Sequence, residues 1–458
     1  MNTLHSRSNS TYMRDFYGRL IYLSVPIMIQ NLLISSLSFI DTLMITTVSE
    51  EALAAVGLAN QMFFLINLFY FGVSSGSAIF VAQYWGAQQI RNLQKTMGIA
   101  LTVGLIGAFI SASVSFFFPR AIMHIFSYDE VVVAYGVDYL RIVSFSYITT
   151  AVVMVFSSTL RSTTDARTPM YISVISLVIN VILNYGLILG KLGFPRLEVK
   201  GAAVATLTAR VLEMTLLLFI IYRKKSAVAA PVKTLVSFSR TDVAIFFHTC
   251  LPVILNEMFW SLGMTAYKVA YAKLGTSVIA SVNVSQSIEH LFFVVLIGVS
   301  NAGAIMLGNK IGENKPDIAH KDAIRLMKIA VAVGCIMGIA LYLLSGVIPK
   351  IFSLSPYVFT ITTLSLRSLS FLVPFKALSM MIVVGVLRSG GDTRFSMLTE
   401  ISGVWGIGVP IAFISVLLLN IPIYYIYLLV GLEEIYKGIL GSIRIGRKKW
   451  ITRLVEQE

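Results

Sequence analysis

Apolar stretches of roughly 20 or more residues recur along the whole chain, each long enough to cross a bilayer as a helix. Within hydrocarbon the backbone has no water to bond, so a spanning chain folds into helices or a closed barrel. Continuous apolar runs exclude the in-out alternation of barrel strands. Twelve segments fit, at 20–46, 52–83, 94–118, 131–157, 168–190, 199–222, 243–272, 277–308, 322–349, 357–386, 395–419 and 421–440. Composition agrees. Of 458 residues, 57% are hydrophobic and 13% charged, and the mean hydropathy is +0.82, too little charge to cover a soluble surface. The expectation is an all-α integral membrane protein with twelve transmembrane helices.

The first 20 residues are polar and basic and lack the apolar core of a signal peptide. Phe116-Phe117-Phe118 followed by Pro119 reads as a helix stop, since proline cannot continue the hydrogen-bond ladder. The basic stretch 223–242, with Pro231 in it, is the one long linker. It divides a six-helix bundle at 1–222 from a second at 243–440, followed by a basic tail at 441–458. Most of the 36 Lys and Arg fall in loops on the side of the two termini, Arg223-Lys224-Lys225 and Arg447-Lys448-Lys449 among them. By the positive-inside rule both termini are cytoplasmic in a multi-pass protein of the cell membrane. The net charge of +14 is then a property of those loops and implies no nucleic-acid partner. Cys250 and Cys335 lie in or beside apolar runs with no metal or disulfide pattern.

The two halves repeat. LRSTTDAR at 160–167 returns as LRSGGDTR at 387–394, and GVSSGSAIFVAQYWG at 72–86 aligns with GVSNAGAIMLGNKIG at 298–312. Arg141 maps on Arg367 and Pro26 on Pro252, again with a spacing near 226. An even number of spans gives both repeats the same topology. They should be related by a pseudo-two-fold axis along the membrane normal, with a cavity between the bundles, an architecture suited to alternating access.

Asp41 in the first span, ALAAVGLANQ at 52–61, the Gly-Ser-rich second span ending YWGAQ, LPVILNE in the seventh, and the paired LR…D loops occur in a fixed order. In these features the chain resembles the multidrug and toxic compound extrusion (MATE) family over nearly its full length. The resemblance implies efflux of bulky, often cationic, organic compounds driven by inward movement of Na⁺ or protons.

Ionisable groups deep in the spans are the mechanistic candidates, because each costs about 2.5–3.5 kcal/mol on insertion scales and by default faces a cavity or a partner. They are Asp41, Glu257 at the centre of span seven with Lys268 further out, Glu289-His290 in span eight, and Lys376 in span ten. None is matched in the other half: Glu257 corresponds to Asn31, Glu289 to Phe64, Lys376 to Thr150 and Asp41 to Tyr267. Arg141/Arg367, Arg161/Arg388 and Asp165/Asp392 are matched, and read as loop-closing or capping ion pairs. Glu257 and Glu289 with Lys376 therefore form a candidate site exchanging a proton or cation, in which Lys376 is a tethered cation for one glutamate or the other. Asn180 and Asn184, four apart, share one face of span five, and Thr206 follows in span six. With Asn31 they make a candidate polar network for substrate or cation. Arg210 and Glu213, three apart, are expected to pair, and Glu400 reads as structural.

The resemblance extends to two branches of the family. The DinF-like branch implies an aspartate of span one working with an Asn, a second Asp and a Thr. Asp41, Asn180 and Thr206 fit, while Asn184 replaces the second acid. The NorM-like branch implies a Glu in span seven and an Asp in span ten. Glu257 lies one helical turn early, and the Asp position falls near Ala377, beside Lys376.

The expected function is a secondary multidrug antiporter exporting amphipathic, cationic compounds in exchange for Na⁺ or H⁺. It is a monomer with small-molecule drugs or toxic metabolites and membrane lipids as partners. It is not an enzyme, having no nucleophile motif or phosphate loop, no cofactor, and no metal beyond a transient Na⁺. The alternative is a flippase for a lipid-linked saccharide precursor, which would need a basic cavity for a pyrophosphate.

Overall fold

The computed structural model describes residues 2–352 and 354–455, with side chains from residue 11 onward except those of 37–39. The chain is all-α. In order the helices are α1 (Asn2–Thr46), α2 (Glu50–Gly86), α3 (Ile90–Phe117), α4 (Pro119–Phe126), α5 (Glu130–Ser162), α6 (Arg167–Leu189), α7 (Glu198–Arg223) and α8 (Val232–Leu235). They are followed by α9 (Arg240–Ala272), α10 (Thr276–Gly312), α11 (Pro316–Leu344), α12 (Pro356–Met380), α13 (Thr393–Gly403), α14 (Val409–Leu417), α15 (Ile423–Val430) and α16 (Leu432–Gly446). Among the described residues, eleven helices are long and apolar enough to cross a membrane. The twelfth expected span departs from the others: Gly431 splits it into α15 and α16, and Glu433, Glu434 and Lys437 make α16 amphipathic rather than uniformly apolar.

Local chemistry sets the helix ends. Pro119 ends α3 as expected and occupies the first position of α4, where a missing N–H is tolerated. The Asp129 carboxylate caps α5 by accepting from the backbone N–H of Val131 at 2.9 Å. Gly190 closes α6 in the left-handed region at φ +68°, which a residue with a Cβ would resist. Two helices contain a π turn. One, Met381–Leu387, continues α12; the other, Val404–Gly408, joins α13 to α14. Such turns leave one backbone hydrogen bond displaced and often border functional sites.

The chain forms two compact units. One comprises Val25–Val81 and Gln89–Ile254, the other Met1–Ser24, Ala82–Gln88 and Leu255–Glu458. The units thus exchange helix ends relative to a cut in the 223–242 linker. In the first, α5 is the enclosed helix, with most of its residues buried, and Tyr147 stacks on Phe63 at 5.8 Å. In the second, Tyr267, Tyr271, Leu366, Ile426 and Tyr427 belong to one apolar core shared by α9, α12 and α15.

The sequence repeat has a physical counterpart inside the second unit. The end of α2 crosses the end of α10 backbone against backbone. A Cβ on Gly86 would overlap the Asn309 carbonyl, and one on Gly312 the Gln83 carbonyl. Both pairs are related by the 226-residue offset, so each helix presents the same glycine to its partner, the small-residue packing membrane helices favour. Gln83 also fastens the tail that follows α16. Its amide donates to the Ser389 carbonyl at 3.1 Å, and its oxygen accepts from the Leu454 N–H at 2.9 Å.

Gly312→Ala is expected to cost about 1–3 kcal/mol, the usual penalty of forcing atoms into a packed contact. Gly57, with open space around its Cβ position, is the control: Gly57→Ala should be neutral or slightly stabilising. Thermal unfolding of both variants in detergent checks this, and equal melting temperatures would contradict it.

Candidate functional site

Asp41 lies near the end of α1, where Asn180 and Asn184 of α6 face it. The Asn184 amide donates to an Asp41 oxygen at 2.5 Å and to the Asn180 oxygen at 2.9 Å. Both asparagines are fully enclosed, at 1% and 0% exposure. The Asn184 carbonyl oxygen has no hydrogen-bond partner. Tyr139 of α5 is within electrostatic reach of Asp41; its hydroxyl donates to the Asn60 oxygen at 3.3 Å and is also in hydrogen-bond reach of Thr206 on α7. Among the described residues no Lys or Arg forms an ion pair with Asp41; Arg210 of α7 acts on it at longer range but is bonded to Glu213 at 2.8 Å. The result is a carboxylate held by the Asn184 amide N–H, with the Asn180 oxygen on the same amide and the Tyr139 hydroxyl within electrostatic reach. Thus Asp41, Asn180, Asn184 and Thr206 come together in one unit.

Asn31 does not join them. The neighbouring Gln30 is the residue used. Its oxygen accepts from Arg161 at 3.1 Å and its amide donates to Ser173 at 3.0 Å; Ser173 in turn donates to Glu213 at 2.9 Å. A polar chain therefore runs from Arg161 through Gln30, Ser173 and Glu213 to Arg210, confirming the Arg210–Glu213 pair expected from spacing.

That chain explains Glu257. In the second unit Glu257 is paired with neither Lys376 nor Glu289 but accepts from Arg388 at 2.6 Å, both side chains being nearly buried. Gln30 to Glu257 and Arg161 to Arg388 are both 227 residues apart. The arginine contact is thus made by Gln30 in one repeat and by Glu257 in the other, once as amide–guanidinium and once as carboxylate–guanidinium, while Asn31 remains the residue aligned with Glu257. Along the helix itself Pro26 with Pro252 and Asp41 with Tyr267 keep the spacing of 226, whereas the arginines are 227 apart, so each arginine meets a neighbouring position of that helix. Arg388 is accordingly not a loop-closing partner of Asp392, which pairs with Arg444 at 2.8 Å. Asp165 does cap its helix, accepting from the Thr168 N–H at 3.0 Å and its hydroxyl at 2.7 Å.

The expected Glu257–Glu289–Lys376 cluster therefore separates into two ion pairs. Lys376 donates to Glu289. Beyond that pair the structure reveals a group that the reading of deep charges passed over. Lys437 of α16 lies 3.0 Å from Glu400 of α13, 3.1 Å from Glu434 and 4.0 Å from Glu433. The Tyr267 hydroxyl donates to Glu433, and a Cβ on Gly408, at the end of the second π turn, would overlap both. The signal was present in LEEIYKG at 432–438, where two acids and a lysine stand at helical spacing inside an expected span.

The MatE family model matches residues 26–186 and again 252–426, once for each repeat. The chain belongs to the MATE family. Its relatives include the uncharacterized transporter YisQ of Bacillus subtilis, 23% identical with 95% of each chain covered. Another is NorM of Thermotoga maritima, named a "probable multidrug resistance protein", 24% identical over 95% of this chain and 93% of that one. Among solved structures, a MATE protein in a bent conformation superposes with a TM-score of 0.85 at 20% identity, covering 95% of this chain and 96% of the other. A MOP-superfamily transporter from Pyrococcus furiosus gives a TM-score of 0.84 at 20% identity, covering 94% and 96%. MATE proteins are transporters, so the buried polar groups above belong to a multi-pass membrane protein of a small-molecule transport family.

Removing one partner of a buried ion pair strands the other, at about 3–5 kcal/mol. Glu257→Ala should lose stability on that scale. Glu257→Gln recreates the Gln30–Arg161 contact and should remain within about 1.5 kcal/mol of the wild type. Unfolding in detergent separates the two variants; equal losses would refute the equivalence with Gln30.

Proposed function

We propose that this MATE protein exports amphipathic, cationic organic compounds from the cytoplasm by alternating access, in exchange for protons or Na⁺. It does so as a monomer in the cell membrane, with both termini cytoplasmic and lipid around its apolar faces. The observation that carries the reading is Asp41: a carboxylate bonded to an enclosed amide pair, with no ion-pair partner among the described residues. A charge so placed is costly until a cation or proton joins it, and a cationic substrate can compete for the same negative charge. Exchange follows if only one of the two is bound at a time. Asn180, Asn184 and Thr206 orient the carboxylate and offer oxygen ligands.

Glu257 belongs to the scaffold in this reading, because Arg388 already neutralises it. The flippase alternative loses its basis for a related reason. Its pyrophosphate would need several free cations, whereas of Lys268, Lys376 and Arg210 the last two are bonded to Glu289 and Glu213, and only Lys268 has no ion pair among the described residues.

Ethidium efflux from vesicles under an imposed proton or Na⁺ gradient tests the proposal. Wild-type protein should move ethidium faster with the gradient than without it. Asp41→Asn should reduce that gradient dependence by roughly 5- to 150-fold, the range of a typical coupling free energy. Undiminished gradient-driven efflux in Asp41→Asn contradicts the assignment.

A further inference from the structure

The start of α1 belongs to the second unit, and a buried acid of α11 holds it there. The Asp322 carboxylate accepts from the Tyr12 hydroxyl at 2.5 Å and from Arg325 at 2.7 Å, and the Arg325 guanidinium stacks over the Tyr12 ring at 5.4 Å. Phe16, Leu20 and Leu23, at helical spacing along α1, are buried as well. Beside this seat α1 and the facing ends of α10 and α11 border a groove of about 690 Å³. Arg14, Gly18 and Arg19 of α1, Lys310 of α10 and Asp322 of α11 are among its lining residues.

The charges of the groove do not cancel. Asp322 is neutralised by Arg325, and Glu313 accepts from both Lys310 at 2.9 Å and Lys315 at 2.8 Å. Arg14 and Arg19 form no ion pair among the described residues, and Asp15 is the one further acid of the lining. Counted with their bonded partners, five cations stand against three carboxylates. Gly18 lies between the two unpaired arginines in sequence, and a Cβ there would meet no atom within 4 Å. The helix surface is therefore bare where a ligand would enter. Guanidinium groups present planar, paired N–H donors that match the oxygens of a phosphate.

Depth in the membrane selects the source of that phosphate. The first apolar run starts at residue 20. At about 1.5 Å per residue, Arg14 and Arg19 stand within about 9 Å of it along the helix, in the headgroup layer that flanks the hydrocarbon. Tyr17 and Tyr22 are exposed at the same level, as aromatic residues of a membrane interface are. Ile21 is exposed beside them, already inside the apolar run. Moving into the membrane, α1 thus presents guanidinium groups, then tyrosine rings, then aliphatic surface. A phospholipid has the same order of phosphate, glycerol and acyl chain, and a basic pocket between membrane helices is a place where anionic headgroups bind.

We propose that the groove between α1, α10 and α11 binds an anionic phospholipid. Arg14 and Arg19 hold its phosphate over Gly18, and its acyl chains follow Tyr22 and Ile21 into the bilayer. The site rests on the membrane placement of α1 and is independent of the antiporter reading.

Native mass spectrometry of the full-length protein released from detergent tests the site, with phosphatidylglycerol and phosphatidylcholine of identical acyl chains as probes. Phosphatidylglycerol should bind the wild type more tightly than phosphatidylcholine. The double variant Arg14→Gln/Arg19→Gln should weaken its binding roughly 10- to 100-fold, the worth of a charge-assisted hydrogen bond. Gly18→Leu puts a side chain into the groove without removing a charge, and should weaken binding comparably. As a control, Arg91→Gln/Lys95→Gln removes the same charge from the start of α3, outside the groove, and should leave the affinity unchanged. Equal binding of the two lipids, equal weakening in the two double variants, or full affinity in Gly18→Leu overturns the site. Displacement of phosphatidylglycerol by the same concentration of glycerol 3-phosphate, which has no acyl chain, would show a site for soluble phosphates and overturn the lipid assignment.

Discussion

A charge enclosed among membrane helices must find a counter-charge, a proton or an ion, because no water is present to stabilise it. That constraint sorts the buried ionisable groups of this protein into two classes. Glu257–Arg388, Glu289–Lys376 and Arg210–Glu213 are matched pairs. Asp41 has no ion-pair partner among the described residues, and the three acids around Lys437 share that one lysine. Matched pairs hold helices at fixed places and orientations. Unmatched groups are the ones whose occupancy can change during a transport cycle.

The repeat makes the distinction sharper. Arg161 and Arg388 stand at the same place in the two repeats and reach back to the first helix of each, to Gln30 in one and Glu257 in the other. An interaction that works with either an amide or a carboxylate is a packing device whose charge is incidental. The glycine crossing of α2 and α10 shows the same economy, one contact used twice with its partners exchanged. By contrast, Asp41 corresponds to Tyr267 in the second repeat, and Tyr267 is the residue that donates to Glu433. At this position, acid in one repeat and phenol in the other, each residue bonds to a polar group of its own unit.

Much of this was legible in the residues. Apolar length placed ten of the eleven spans to within about six residues, the first helix beginning well before residue 20; Pro119 marked the end of α3, and the LR…D repeat pointed to the twofold organisation. The Asn180–Asn184 pair could be anticipated because two asparagines four apart share a helix face, and its grouping with Asp41 from the resemblance to the family. What failed did so for identifiable reasons. The arginines of the two repeats stand 227 residues apart and the first helices 226, so Arg161 meets Gln30 and not Asn31, the residue aligned with Glu257. Partner choice for Glu257 and Lys376 depends on which helices are neighbours, and spacing along a single helix says nothing of that. The Lys437 cluster was passed over because α16 carries its charges at the end of the chain, in a segment that reads as an ordinary span until Gly431 divides it.

Proton release on substrate binding tests the division between matched and unmatched charges most directly. Purified protein in weakly buffered detergent solution is titrated with ethidium while a pH indicator follows the solvent. The wild type and Glu257→Gln should release the same number of protons per ethidium bound, and Asp41→Asn fewer. Release that is unchanged in Asp41→Asn but lost in Glu257→Gln would show that the matched pair, and not the unmatched carboxylate, carries the exchange.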